Sequence, residues 1–117
     1  MRVQESFSGL SSDVTTAHIH CCTAISDSGT TGPATMLPTF DTFPSGATFG
    51  NYDQTFDMKL ASSYNSAFIT SSGGTDGAFA ALVAGLNSGT AYANIHTVDF
   101  ASSGEILSAV FSGFVSP

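Results

Sequence analysis

The residues of this chain with the clearest chemical potential are its three histidines, two of them in Ala17-His18-Ile19-His20-Cys21-Cys22 and the third closing Tyr92-Ala93-Asn94-Ile95-His96. On a β-strand, His18 and His20 stand at i and i+2, so their side chains share a face with Cα atoms about 7 Å apart. Ile19 then points to the opposite, core-facing side. The same parity sets Tyr92, Asn94 and His96 opposite Ile95. If the two strands are neighbours, three imidazoles converge on one outer face beneath a long loop. Imidazole is the commonest protein metal ligand, and three such nitrogens suit a mononuclear copper or zinc site. Cys22 shares the parity of His18 and His20 and is a candidate soft fourth ligand, whereas Cys21 faces the core side. A structural reading stands beside the metal one: the imidazoles hydrogen-bond loop backbone and fix the return of the chain over the sheet.

The other reactive groups point to less. Cys21 and Cys22 read first as plain thiols, with a vicinal disulfide as the strained alternative. A nucleophilic Cys22 paired with His20 lacks a third group to orient the base. The nine acidic residues are scattered singly and read as solvated, with no paired carboxylates for acid–base work. Glu105, directly after Gly104 at a strand start, is the exception. Its expected role is structural, accepting backbone N–H bonds or orienting a motif histidine. Nothing in this inventory marks the chain as an enzyme.

The elements that must position these groups are mainly strands. Tyr52, Gln54, Phe56, Met58 and Leu60 alternate with Asp53, Thr55, Asp57 and Lys59, the period-two pattern of a half-buried antiparallel strand. Strands are also expected over Glu105–Val115, Ala91–Thr97, Ala17–Cys22 and Gln4–Leu10, with a weak one over Pro33–Leu37. Phe79, Leu82, Val83 and Leu86 recur at i, i+3, i+4 and i+7. They predict a helix over Thr75–Leu86, capped by Thr75 or Asp76 and ended by Gly89. Asn65–Thr70 reads as one short helical turn. Pro38, Pro44, Gly46 and Gly50 bracket a loop that Phe40, Phe43 and Phe49 should pin to the body. The fold class expected is mainly β: a small antiparallel Greek-key β-sandwich with one or two short helices in a crossover. Phe56, Leu60, Leu82, Ile95 and Val110 are its expected core residues.

The chain has 117 residues, room for one domain spanning 1–117. Lys and Arg number two and the net charge is −7, so phosphates would find almost no partner and nucleic-acid binding is excluded. No run of 18 apolar residues provides a membrane span. With 18 Ser and 14 Thr against 9% charged residues, the polar surface is mostly hydroxyl, as in secreted and cell-surface β-proteins. Secretion or the cell envelope is the expected location, although the N-terminus carries no signal-like apolar run.

Taken together, Ala17-His18-Ile19-His20 followed by Gly29 and Gly32, then Tyr92-Ala93-Asn94-Ile95-His96-Thr97, then Phe100 and Gly104-Glu105-Ile106, resemble the CHRD domain, named after chordin and widespread in bacterial secreted proteins. The likeness runs over roughly residues 6–113. Two departures stand in the last motif: Ala101 follows Phe100 where the family has proline, and Leu107 replaces its arginine. Family domains also begin with a further segment of about two strands. The likeness therefore implies a domain lacking its first hairpin, and hence self-association through an exposed edge strand. Two functions are expected from the whole. One is a secreted or envelope-associated module with a non-catalytic binding or structural role toward a protein or matrix partner. The other is a three-histidine copper or zinc site with redox chemistry. His18-Ile19-His20 is similar to the copper-binding strand of Cu/Zn superoxide dismutases, an analogy of one tripeptide and an architecture.

Overall fold

The computed structural model describes residues 1–109. Among them are five strands, β1 (Arg2–Phe7), β2 (Val14–Cys21), β3 (Gly50–Thr55), β4 (Ala91–Thr97) and β5 (Ile106–Ala109). A 3₁₀ turn (Ala61–Ser63) and two helices, α1 (Ser66–Ser72) and α2 (Thr75–Ser88), lie between β3 and β4. All strand pairing is antiparallel. β1 pairs with β3, and β2, β4 and β5 form a second sheet with β4 in the middle. The first four strands thus alternate between the two sheets, while β5 returns beside β4, and the expected mainly β fold class holds. The expected Val110, and the expected strand beyond residue 109, lie outside the described residues.

One apolar core joins the two sheets. β1 and β3 contribute Val3, Phe7 and Tyr52, while β2 and β4 contribute Ala17, Ile19 and Ile95. Phe40 from the long loop and Leu82 from α2 fill the interior completely, both at 0% exposure. α2 ends as its sequence predicts. Gly89 takes the left-handed conformation at φ 77°, and its N–H returns to the Gly85 carbonyl. α1 starts on Asn65, whose side chain accepts from the Ala67 N–H.

Four expectations about individual positions are corrected. Leu60 is 52% exposed, because β3 stops at Thr55 and the chain turns at Asp57. The Asp57 carboxylate accepts from the Lys59 N–H and its carbonyl from the Leu60 N–H, which ends the alternation. Phe56 and Met58 stay buried. Phe49 is 69% exposed and does not pin the loop; Phe40 and Phe43 do so by packing on Tyr52. Neither Thr75 nor Asp76 caps α2. Gly74 occupies the N-cap position, with no side-chain cap bond. Pro33–Leu37 is not a strand but touches its neighbours through single bridges, His20 with Pro33 and Thr35 with Tyr64.

Candidate metal centre

β2 and β4 are neighbours, and their register sets Thr16 opposite His96, His18 opposite Asn94 and His20 opposite Tyr92. The three imidazoles therefore meet on one face. Ring centroids of each pair lie 5.7–5.8 Å apart. One ring nitrogen from each residue falls within 4.8 Å of the other two. Loops cover the cluster and leave the three residues only 5–7% exposed.

The loops do more than cover. Each imidazole meets one backbone carbonyl: His18 Nε2 reaches Pro38 O at 2.7 Å, His20 Nδ1 reaches Thr31 O at 2.7 Å and His96 Nδ1 reaches Ala101 O at 3.0 Å. A carbonyl oxygen only accepts, so the bonded nitrogen must carry the proton. In a neutral ring the other nitrogen is then a bare lone pair: Nδ1 of His18, and Nε2 of His20 and His96. His18 Nδ1 and His20 Nε2 are buried with no hydrogen-bond partner. Fixing the tautomer through the non-coordinating nitrogen is how metal-ligating histidines are usually oriented.

Burial also favours the neutral form of His18 and His20. It pushes His18 down from 6.5 to about 4, and the His20 and His96 rings add to the fall while the Pro38 carbonyl opposes it. His20 is lowered as well, again chiefly by burial. Neutral imidazoles are the form that binds a metal. In a tetrahedral zinc site with bonds of 2.0–2.1 Å, ligand nitrogens sit about 3.4 Å apart. A move of about 0.7 Å per ring would close the widest separation here to that value.

Supporting residues tie the covering loops to the strands. The Tyr92 ring stacks on His20 at 5.0 Å, its hydroxyl donates to Thr31 O and it accepts from the Thr31 N–H. The carbonyl that orients His20 is thereby held in place. Glu105 has the structural role expected of it. Its carboxylate accepts from the Ser11 N–H (2.7 Å), the Ser11 hydroxyl (2.9 Å) and the Thr97 hydroxyl (2.9 Å), bonds that hold it below its ordinary value. This clamps both ends of the loop that presents Ala101 O to His96. Gly104 closes that loop at φ 82°, where a Cβ would run into the buried Asn94 side chain.

Cys22 does not join the histidines. β2 ends at Cys21, so strand parity no longer governs the next residue. Cys21 and Cys22 are joined as a vicinal disulfide, the alternative that the sequence ranked second, and both sulfurs lie against α2 near Ala81 and Gly85. A second departure from expectation is Glu5. It lies on the same side of β1 as the core residues Val3 and Phe7, and burial drives its carboxyl up to about 7.

A two-sheet antiparallel sandwich with three oriented imidazoles on its three-stranded sheet defines a small β-module with a candidate metal centre. The family model of the CHRD domain matches residues 1–107, and the chain belongs to the CHRD family. No curated protein matches the chain. No solved structure matches it either. Among the described residues, no helix is long and apolar enough to cross a membrane.

Proposed function

We propose that this CHRD module holds one copper or zinc ion through His18 Nδ1, His20 Nε2 and His96 Nε2, and that it serves outside the cell, secreted or at the envelope, as a non-catalytic binding or structural module. The observation that carries the reading is the pair of buried ring nitrogens without partners, within a cluster whose opposite nitrogens are all bonded to backbone. A buried polar atom left unpaired costs roughly 1–3 kcal/mol. A purely structural trio of histidines gains nothing from leaving lone pairs buried beside one another, whereas an ion turns them into ligand bonds. The hydroxyl-rich acidic surface supports the extracellular setting, with a protein or matrix as the partner class.

Three protein ligands leave a coordination position for water or a small molecule, as in catalytic zinc sites. With copper, that opening supports a second reading, one-electron chemistry with superoxide. The test begins with chelator-stripped protein loaded with Cu(II) or Zn(II), freed of excess and assayed for metal per chain, with His18→Ala and His96→Ala in parallel. One equivalent in the parent and none in the variants is the expected result. A parent that retains no stoichiometric metal leaves the histidines as loop latches. Superoxide consumption by the copper-loaded parent, absent from both variants, decides for the second reading.

A further inference from the structure

The joined cysteines sit in a prepared place. Both sulfurs rest on α2 at Gly85, where a Cβ would come within 2.7 Å of Cys21 Sγ, 2.9 Å of Cys22 Sγ and 3.2 Å of Ala91 Cβ. Only a glycine at this point of the helix lets the pair lie down. The same two sulfurs are 3.7 and 3.6 Å from a single acceptor, the Ala81 carbonyl oxygen. In the disulfide neither sulfur has a proton to give. In the dithiol both can donate to that oxygen, which has two lone pairs. The seat therefore accommodates the oxidised and the reduced pair alike. A link between adjacent residues also closes no long loop, so it restrains the unfolded chain little and is poorly suited to act as a stabilising staple. Exposure divides the pair: Cys21 is 5% exposed, while Cys22 faces solvent.

We infer that Cys21–Cys22 is a reversible thiol–disulfide couple that exchanges with external dithiols through Cys22. A thiolate of the dithiol attacks the accessible Cys22 Sγ. The S–S bond breaks, and Cys21 leaves as a thiolate that takes up a proton. The second thiol of the reagent then attacks the mixed disulfide and releases Cys22 as a thiol. The protein gains two electrons and two protons, and the dithiol becomes a disulfide. The inference stands apart from the metal reading, because these sulfurs lie against α2 and not among the imidazoles.

The experiment equilibrates chelator-treated native protein with reduced and oxidised dithiothreitol in varied ratio, quenches with acid and counts alkylated thiols by mass. Two thiols should appear in one step, disappear again on the oxidising side, and do so with an unchanged near-ultraviolet dichroism spectrum. Gly85→Ala should move the equilibrium at least tenfold toward the dithiol, since a methyl at this point clashes with sulfurs held together but not with thiols free to rotate away. His18→Ala should leave the couple unchanged. Thiols released only in denaturant, loss of the folded spectrum on reduction, or reoxidation that gives only chain-to-chain disulfides would each overturn the inference. The wild-type titration decides the matter even if the Gly85 variant fails to fold.

Discussion

Glutamine in place of Glu5 is expected to change how stability depends on pH, in a direction fixed by the burial of that carboxyl. Glu5 lies across from Tyr52, and its Oε2 is buried without a partner. Its ionisation moves from 4.5 to about 7 on folding. Between those values the folded chain keeps a proton that the unfolded chain has lost, so this contribution is complete below pH 4.5 and disappears as the pH rises through 7. At 1.36 kcal/mol per pH unit, the difference amounts to about 3.4 kcal/mol. Glutamine is similar in shape and does not titrate. The variant should therefore gain about 3 kcal/mol on the parent between pH 4.5 and 8, whatever constant offset its amide introduces. His18 acts in the opposite sense. Lowered from 6.5 to about 4, it contributes stability above 6.5 that is lost as the pH falls toward 4. Discounted for solvent screening, its effect is about 2 kcal/mol. In the parent the two contributions oppose each other between pH 4.5 and 6.5, and stability should fall less steeply there than Glu5 alone would make it. In Glu5→Gln the histidine slope should emerge. Urea unfolding of both proteins at pH 4.5, 5.5, 6.5 and 8, in the presence of a chelator, gives the comparison. A difference between them that does not vary with pH would mean that Glu5 is solvated and ionised throughout, and the reasoning would fail.

Further tests follow from packing and from the loop clamp. Leu82→Ala should cost about 2–5 kcal/mol in urea unfolding, because that side chain is fully enclosed, whereas Leu60→Ser should stay within about 0.5 kcal/mol; comparable losses would refute the core assignment. Glu105→Gln should weaken metal binding about tenfold by loosening the Ala101 carbonyl that orients His96, an effect visible in calorimetric titration; unchanged affinity would show that the clamp does not reach the imidazole. Strands β1 and β3 have only each other as partners among the described residues, and Phe49, immediately before β3, is exposed. Light scattering after size exclusion should show concentration-dependent association; a monomer at every concentration, with a high melting temperature, would contradict this.

The parts of the structure that repeat with a period were legible in the sequence. His18 and His20 at i and i+2, and His96 in phase with Tyr92 and Asn94, gave the shared face, and the spacing of Phe79, Leu82, Val83 and Leu86 gave α2. What escaped were the places where local chemistry overrides a period. The alternation through Tyr52, Phe56 and Leu60 runs past the end of β3 because the Asp57 side chain builds a turn that hydropathy does not register. Cys22 left the histidine face because its strand ended one residue earlier. Glu5 was assigned to water by its charge, although Val3, Glu5 and Phe7 carry the signal of a shared inward face. That loop backbone would meet the imidazoles was expected, but which carbonyls do so, Pro38, Thr31 and Ala101, is set by the loop path, which no pattern of side chains can display.

That last feature bears on how such a centre is inherited. Pro38, Thr31 and Ala101 serve the histidines through their carbonyl oxygens, groups that every amino acid possesses. Point substitutions at these three positions leave the acceptor in place, provided that the path of the backbone survives. Insertions and deletions in the covering loops displace it. The loops are thus free to diverge in composition while their lengths stay constrained, and the centre could be transplanted to another sandwich by copying three histidines and two loop trajectories rather than a set of loop side chains.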